Sequence, residues 1–270
     1  MPRIVVAVLA GMSLATSGAL FQALINNPLV SPDIIGIDTG ATACAIAILA
    51  MGLDIRLLPL MAFAGALATA AMIFLLAWRR GFSGGRLVLV GIGVNALLSA
   101  VITYLLVRYP IERVSAAARW QAGTLASSWS DARMLAVGLV ILLPVALLLT
   151  RRLQVMQLGD GSAMSLGVGL EKSRLAVIAT GCGLSATVVA VVGPLGFVAL
   201  LAPHVARFLA GALTRGLVML TALLGAVMLL SADLVAQRLF APTVLPAGVV
   251  TAAMGGPYLL FVLRRFNRAG

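Results

Sequence analysis

The chain has 270 residues, 62% of them hydrophobic and only 10% charged, with a mean hydropathy of +1.13; a soluble domain carries roughly a quarter charged residues, so this composition needs lipid as its solvent. The formal net charge of +11 does not indicate nucleic acid. The basic residues sit in clusters beside apolar stretches (Arg79, Arg80 and Arg86; Arg151 and Arg152; Lys172 and Arg174; Arg264, Arg265 and Arg268), not on a polar face with aromatic readers between them.

A membrane helix takes about 20 apolar residues, and candidate spans lie at 4–25, 34–53, 57–78, 87–107, 134–150, 175–192, 195–213, 217–232 and 245–263. The expectation is an all-α polytopic bundle of about nine helices, one membrane domain over residues 1–270. The first span ends in Asn26-Asn27-Pro28-Leu29-Val30-Ser31-Pro32, a sequence that forbids helix continuation and demands a structured turn. The next helix should begin near Asp33, with Gly36 and Gly40 as a small-xxx-small pair for close helix contact. A polar loop with Asp54 and Arg56 precedes the helix that ends at Trp78.

Residues 108–133 form the longest polar interval, with Arg108, Glu112, Arg113, Arg119, Asp131, Arg133 and the tryptophans Trp120 and Trp129; they read as a membrane-surface element with interfacial anchors. Residues 151–174 are amphipathic. Leu158, Ala163, Leu166 and Val168 recur near helical spacing, and Gly159-Asp160-Gly161-Ser162 supply a turn and a cap. Periodicity alone leaves a short surface helix and a plain packing loop equally open. By the positive-inside rule the basic loops and the C-terminus are cytoplasmic, which makes 151–174 inward-facing and 108–133 outward-facing, with Met1 outside.

A faint echo links Gly11-Met12-Ser13-Leu14-Ala15-Thr16, leading to Asn27-Pro28-Leu29, with Gly181-Cys182-Gly183-Leu184-Ser185-Ala186-Thr187, leading to Gly193-Pro194-Leu195. The copies enter the membrane from opposite sides, the pattern of an inverted-repeat transporter with broken helices at matching points.

Catalysis needs a nucleophile, base or metal cluster held together, but one histidine and eight acidic residues are scattered over the chain, and no phosphate-cradling Gly-x-x-x-x-Gly-Lys-Ser/Thr occurs. No catalytic residue, metal site or bound cofactor is expected. Cys44 and Cys182 read as small packing residues. Intramembrane ionisable residues are functional candidates by default; here they are Asp38, near a helix start, His204 and Arg207, one turn apart after Pro203, and Asp233. His204 can bond the carbonyls that Pro203 frees or contact substrate, and Asp233 can pair with Arg238. Nothing resembles a proton relay, so the glycine-rich helices suit a pathway that opens by tilting.

The stretches PRIVVAVLAGMSLATSGALFQALINNPLVSPDIIGIDTGA at 2–41, LGDGSAMSLGV at 158–168, VGPLGFVALLAPHVARFLAG at 192–211 and ADLVAQRLFAPTVLPAGVVTAAMGGPYLL at 232–260 resemble the FecCD-type permease subunits of type II ABC importers, which carry iron-siderophores, haem and cobalamin. Within that family SPDIIGIDTGA, ARWQAGTLASSW and AQRLFAPTVLPAGVVT are most similar to ferric enterobactin permeases and other catecholate relatives; haem, cobalamin and hydroxamate permeases stay open as alternatives, as does an ion-coupled secondary transporter.

The resemblance implies a multi-pass inner-membrane protein of ten helices per subunit, and it begins at the family's second helix, so the first is expected to be missing. It implies a second permease subunit, identical or different, two cytoplasmic ATPase subunits that use the ATP, a periplasmic or lipoprotein siderophore-binding protein, and iron carried as a chelate. ATPase coupling would fall on Leu158, Gly159, Asp160, Ala163, Leu166 and Gly167. Docking of the binding protein would fall on Arg3 and on Arg238, beside Gln237 where the family carries arginine. Asn27, Pro28, Pro32, Gly36, Pro203 and His204 are expected in the translocation pathway or its gate.

Overall fold

The computed structural model describes residues 1–78, 83–110, 115, 120–125, 128–239 and 244–266; Arg79, Arg80, Glu112, Arg113, Arg119 and Arg268 lie outside them. Every regular element among the described residues is helical. In chain order these are α1 (Pro2–Ile25), α2 (Pro32–Ile35), α3 (Ile37–Met51), a 3-10 turn (Ile55–Leu57), α4 (Leu58–Ala77), α5 (Gly84–Arg108), α6 (Trp129–Met156), α7 (Asp160–Ser165), α8 (Leu170–Val192), α9 (Val198–Ala210), α10 (Arg215–Arg238) and α11 (Ala247–Phe266). Six of them are long and apolar enough to cross a membrane: α1, α4 with its leading 3-10 turn, α5, α6, α8 and α10.

Local chemistry sets the ends. Proline opens α1, α2 and α4, where its missing N–H costs nothing. Ser128 and Asp131 close a capping box on α6, and the Thr214 hydroxyl accepts from the Leu217 N–H at the start of α10. Asn26 closes α1 in the left-handed conformation at φ 54°, which asparagine tolerates.

Small residues decide the packing, because in lipid close van der Waals approach replaces the hydrophobic drive between helices. Gly11 of α1 meets Gly225 of α10 so closely that a methyl on either would strike the other's carbonyl oxygen. Gly40 of α3 meets Gly65 of α4 in the same way, whereas Gly36 lies against Asn95 and Gly91 of α5; the small-xxx-small pair thus serves two neighbours. The central 18-residue windows of α1 and α8 are each 72% buried, against 22% for α5 and 28% for α6, so α1 and α8 form the middle of the bundle and α5 and α6 its outside.

Two elements depart from the expected spans at 34–53 and 195–213. Helix α3 has 15 residues and α9 has 13, about 20 Å each at 1.5 Å per residue, short of the roughly 30 Å hydrocarbon core. Both begin inside the bundle: Gly36, just before α3, lies against Asn95 at the middle of α5, and Ala199 of α9 lies against Gly18 of α1. A left-handed residue precedes each half-helix, Gly36 at φ 98° and Phe197 at φ 69°. The two echoing stretches lead instead to Asn27-Pro28-Leu29 and Gly193-Pro194-Leu195, upstream of these two residues.

The intervals between spans are also more structured than expected. Residues 120–125 do not lie only at the surface: Leu125 is buried, the Thr124 N–H donates to Val192 O at 2.9 Å, and the Gly248 N–H donates to Gly123 O at 3.3 Å. In the 151–174 interval α6 runs on to Met156, α7 stands alone, and α8 begins at Leu170, which decides between surface helix and packing loop in favour of the helix.

Candidate functional site

The two half-helix starts meet. Asp33 of α2 accepts the backbone N–H of Phe197 on Oδ2 at 3.4 Å, across 164 positions of sequence, while its Oδ1 is buried with no partner among the described residues. Asp38, in the first turn of α3, is buried and accepts the Ser185 hydroxyl of α8 on Oδ1 at 2.9 Å. Asp33 thus faces the N-terminus of α9, and Asp38 sits at the N-terminus of its own helix, the polarity that favours a carboxylate. Among the described residues these two acids have helix N-termini and hydroxyls, and no salt bridge, as partners.

Beside them α5 presents Asn95, Ser99 and Thr103 at i, i+4 and i+8, one face of a helix. Asn95 Oδ1 accepts the Thr39 hydroxyl at 2.6 Å and the Ser99 hydroxyl at 3.4 Å. Together with Asp33, Asp38, Thr39, Thr42, Gln121, Pro194 and Gly196, Ser99 and Thr103 line a cleft of about 390 Å³. This polar wall escaped the reading of single residues. Its signal was present as the Asn95–Ser99–Thr103 spacing in an otherwise apolar helix. Among the described residues no group of three or more His, Cys, Asp or Glu side chains is held together, so the cleft's chemistry is hydrogen bonding and charge.

The expected pathway residues separate. Pro32 and Gly36 are buried beside the cleft, at the turn carrying Asp33. Asn27 is exposed at the end of α1, where its Oδ1 accepts the Leu29 N–H at 2.9 Å and shapes the turn with Pro28. Pro203 is buried within α9. His204 does not bond the carbonyls freed by Pro203: among the described residues its ring lies edge-on to Tyr258 of α11, with centroids 5.7 Å apart.

At the end of the bundle where α6 hands over to α8, Gly159 (φ 102°, ψ 155°) turns the chain into α7 and Gly167 (φ 79°) turns it out. The first conformation is open essentially to glycine alone. Ala163 is fully buried and pins α7 down, while Leu158, Met164 and Leu166 are 60–66% exposed. Asp160 pairs with Arg174 of α8 at 2.6 Å. Nothing lies within 4 Å of a side chain built at Gly159, Gly161, Gly167 or Gly169. The result is a short, anchored helix that presents an apolar edge and bare backbone outward.

At the opposite end Arg3 binds Asp233 of α10 through Nε (2.9 and 3.1 Å) and Nη2 (2.6 Å), and Gln237 Nε2 donates to the same carboxylate at 2.7 Å. Asp233 therefore pairs with Arg3, and not with Arg238, which is exposed. Its side chain is 3% exposed and that of Arg3 28%, so Arg3 is held in place while keeping an outward edge.

A polytopic bundle with two half-helices that start beside one cleft and a projecting short helix is the form of a transport protein, and the comparisons with known proteins agree. The chain is 42% identical over 99% of its length to the ferric enterobactin transport system permease protein FepG of Escherichia coli, of which it spans 82%, and 39% identical over 98% of its length to the Fe(3+)-citrate import system permease protein YfmE of Bacillus subtilis, of which it spans 80%. Its fold superposes on a solved inward-facing metal-chelate type ABC transporter with a TM-score of 0.90 at 31% identity, covering 97% of this chain and 86% of that one. The family model described as the FecCD transport family matches residues 1–265, and the chain belongs to that family.

Proposed function

We propose that this chain is the permease subunit of an ATP-binding-cassette importer that carries a ferric-siderophore, of the catecholate class exemplified by enterobactin, across the inner membrane. The observation that carries the reading is the similarity, over 98–99% of this chain, to a ferric enterobactin permease and an Fe(3+)-citrate permease. The geometry suits it. The polar cleft provides hydrogen-bonding surface inside the bundle, and α7 offers a groove-sized apolar edge by which a soluble motor can push.

In this reading α7, with Leu158, Gly159, Asp160, Ala163, Leu166 and Gly167, faces the cytoplasm and seats in a separate ATPase. The C-terminus is cytoplasmic and the interval 108–133 faces outward. Closure of two ATPase subunits moves α6 and α8 as levers. A second permease subunit completes the path against the poorly buried faces of α5 and α6. An external binding protein docks at the Arg3 end, where carboxylates on its surface meet the outward edge of Arg3 and the exposed Arg238. Such exposed pairs contribute about 0–1 kcal/mol each and mainly set orientation.

The test is uptake of defined iron chelates into liposomes holding the permease with its ATPase, with the binding protein outside. The reading requires ATP-dependent accumulation of a ferric catecholate in preference to haem or a ferric hydroxamate. Accumulation driven by an ion gradient in liposomes without ATPase would support a secondary transporter instead.

A further inference from the structure

Phe197 is a bulky aromatic residue at φ 69° and ψ −24°. That conformation is costly for any side chain and easy for glycine, and strain of this kind persists only where the surroundings hold it. An aromatic residue at such a position implies that its ring has a task that glycine could not perform.

Three sets of contacts hold it. Its carbonyl accepts from Leu200 and Leu201 at 3.1 and 2.8 Å, starting α9. Its N–H goes to Asp33 at the cleft. Its ring lies over the bare backbone of Gly255 in α11, where an added methyl would overlap the ring carbons. The other end of the segment is held backbone on backbone: Gly193 packs on the Trp120 carbonyl, and Gly123 packs on the carbonyl of Pro194. Residues 193–197, which form the cleft wall through Pro194 and Gly196, are thus clamped rigidly at one end and held under strain at the other. Phe197 is the end of the segment held in a costly backbone conformation.

We propose that Phe197 and Gly255 are positioning residues for transport: the ring, wedged on Gly255, holds the 193–197 wall against Asp33, and the cleft widens when the ring leaves that seat. The proposal rests on the permease reading and adds to it the point at which movement of α11 reaches the cleft.

The test is a size exchange read by a thiol. In a background carrying Cys44→Ala and Cys182→Ala, Ser99→Cys places one thiol on the wall facing 193–197, and the rate of its modification by a maleimide is measured in the liposome-embedded complex. Gly255→Ala, which pushes on the ring, and Phe197→Ala, which removes it, should each raise the rate severalfold. The double variant, in which the new methyl fills the space left by the ring, should return it to the parent rate. Because Phe197→Ala only removes atoms, it gives the same reading should the methyl at Gly255 prevent assembly. Unchanged rates in both single variants, or a double variant as fast as the singles, overturn the proposal. Labelling needs neither nucleotide nor chelate, so such a result leaves the importer reading standing, and that reading fails separately if the wild-type complex takes up no chelate.

Discussion

Replacing Arg3 with alanine leaves Asp233 as a buried carboxylate with Gln237 as its one remaining side-chain partner among the described residues. Removing one member of a fully buried ion pair costs about 3–5 kcal/mol, mostly through the charge left behind. Arg3 is 28% exposed, so water reaches the site and the expected cost falls to about 2–3 kcal/mol. Asp233→Asn, which keeps an oxygen acceptor for the guanidinium, should cost about 1 kcal/mol, and the double variant Arg3→Ala/Asp233→Asn should be less damaged than the sum, with a coupling of about 1–2 kcal/mol. Arg238→Ala, one residue past Gln237 and exposed, serves as the control and should stay within about 0.5 kcal/mol of the parent. Thermal melting of the purified chain in one detergent, followed by intrinsic tryptophan fluorescence, ranks the four. At about 2–4 °C per kcal/mol for chains near this size, Arg3→Ala should melt roughly 5–10 °C below the parent. If Arg3→Ala melts with Arg238→Ala, the pair does not hold α1 to α10 and the reasoning is wrong.

Gly225→Val should prevent recovery of folded protein, since its first side-chain atom already meets the Gly11 carbonyl and Ala15; size-exclusion chromatography checks this, and a normal monodisperse peak contradicts the packing described. Ser185→Ala removes the hydroxyl that Asp38 accepts and should lower stability by about 1.5–3 kcal/mol, read by the same melt, while Ser185→Thr should recover part of the loss. Asn95→Leu strips the acceptor shared by Thr39 and Ser99, and it should slow chelate uptake while leaving the ATPase rate of the complex largely intact; equal losses in both would assign Asn95 to folding alone.

Much of the architecture could be read from the chain because lipid simplifies the code: long apolar runs become helices, and the Asn26–Pro32 turn announces itself through its prolines. The short helix near Asp160 was half legible, since Gly159 and Gly167 punctuate the sequence there but periodicity left a packing loop equally open. Three things were hidden. The start of α9 was missed inside a span expected at 195–213: Gly193-Pro194 marks a turn, but an aromatic residue, Phe197, stands at the left-handed position where glycine is expected. The Arg3–Asp233 pair spans 230 positions, beyond any local pattern, and Arg238 was the nearer candidate. The polar cleft is assembled from α2, α3, α5 and the 193–197 segment, and its α3 and α5 hydroxyls, Thr39, Thr42, Ser99 and Thr103, each read alone as ordinary helix residues.

In the proposed function a soluble motor drives this bundle through α7. The direct measurement is the ATP hydrolysis rate of the partner ATPase reconstituted with Gly159→Val/Gly167→Val permease, alongside chelate accumulation. A methyl added at either position meets nothing within 4 Å beyond its chain neighbours, so the bundle should still assemble and insert, while the added side chains and the displaced loop obstruct the motor: stimulation of hydrolysis and accumulation should fall together by at least about tenfold, a coupling loss of roughly 1.4 kcal/mol or more. Wild-type stimulation and accumulation in an inserted, assembled complex would contradict it.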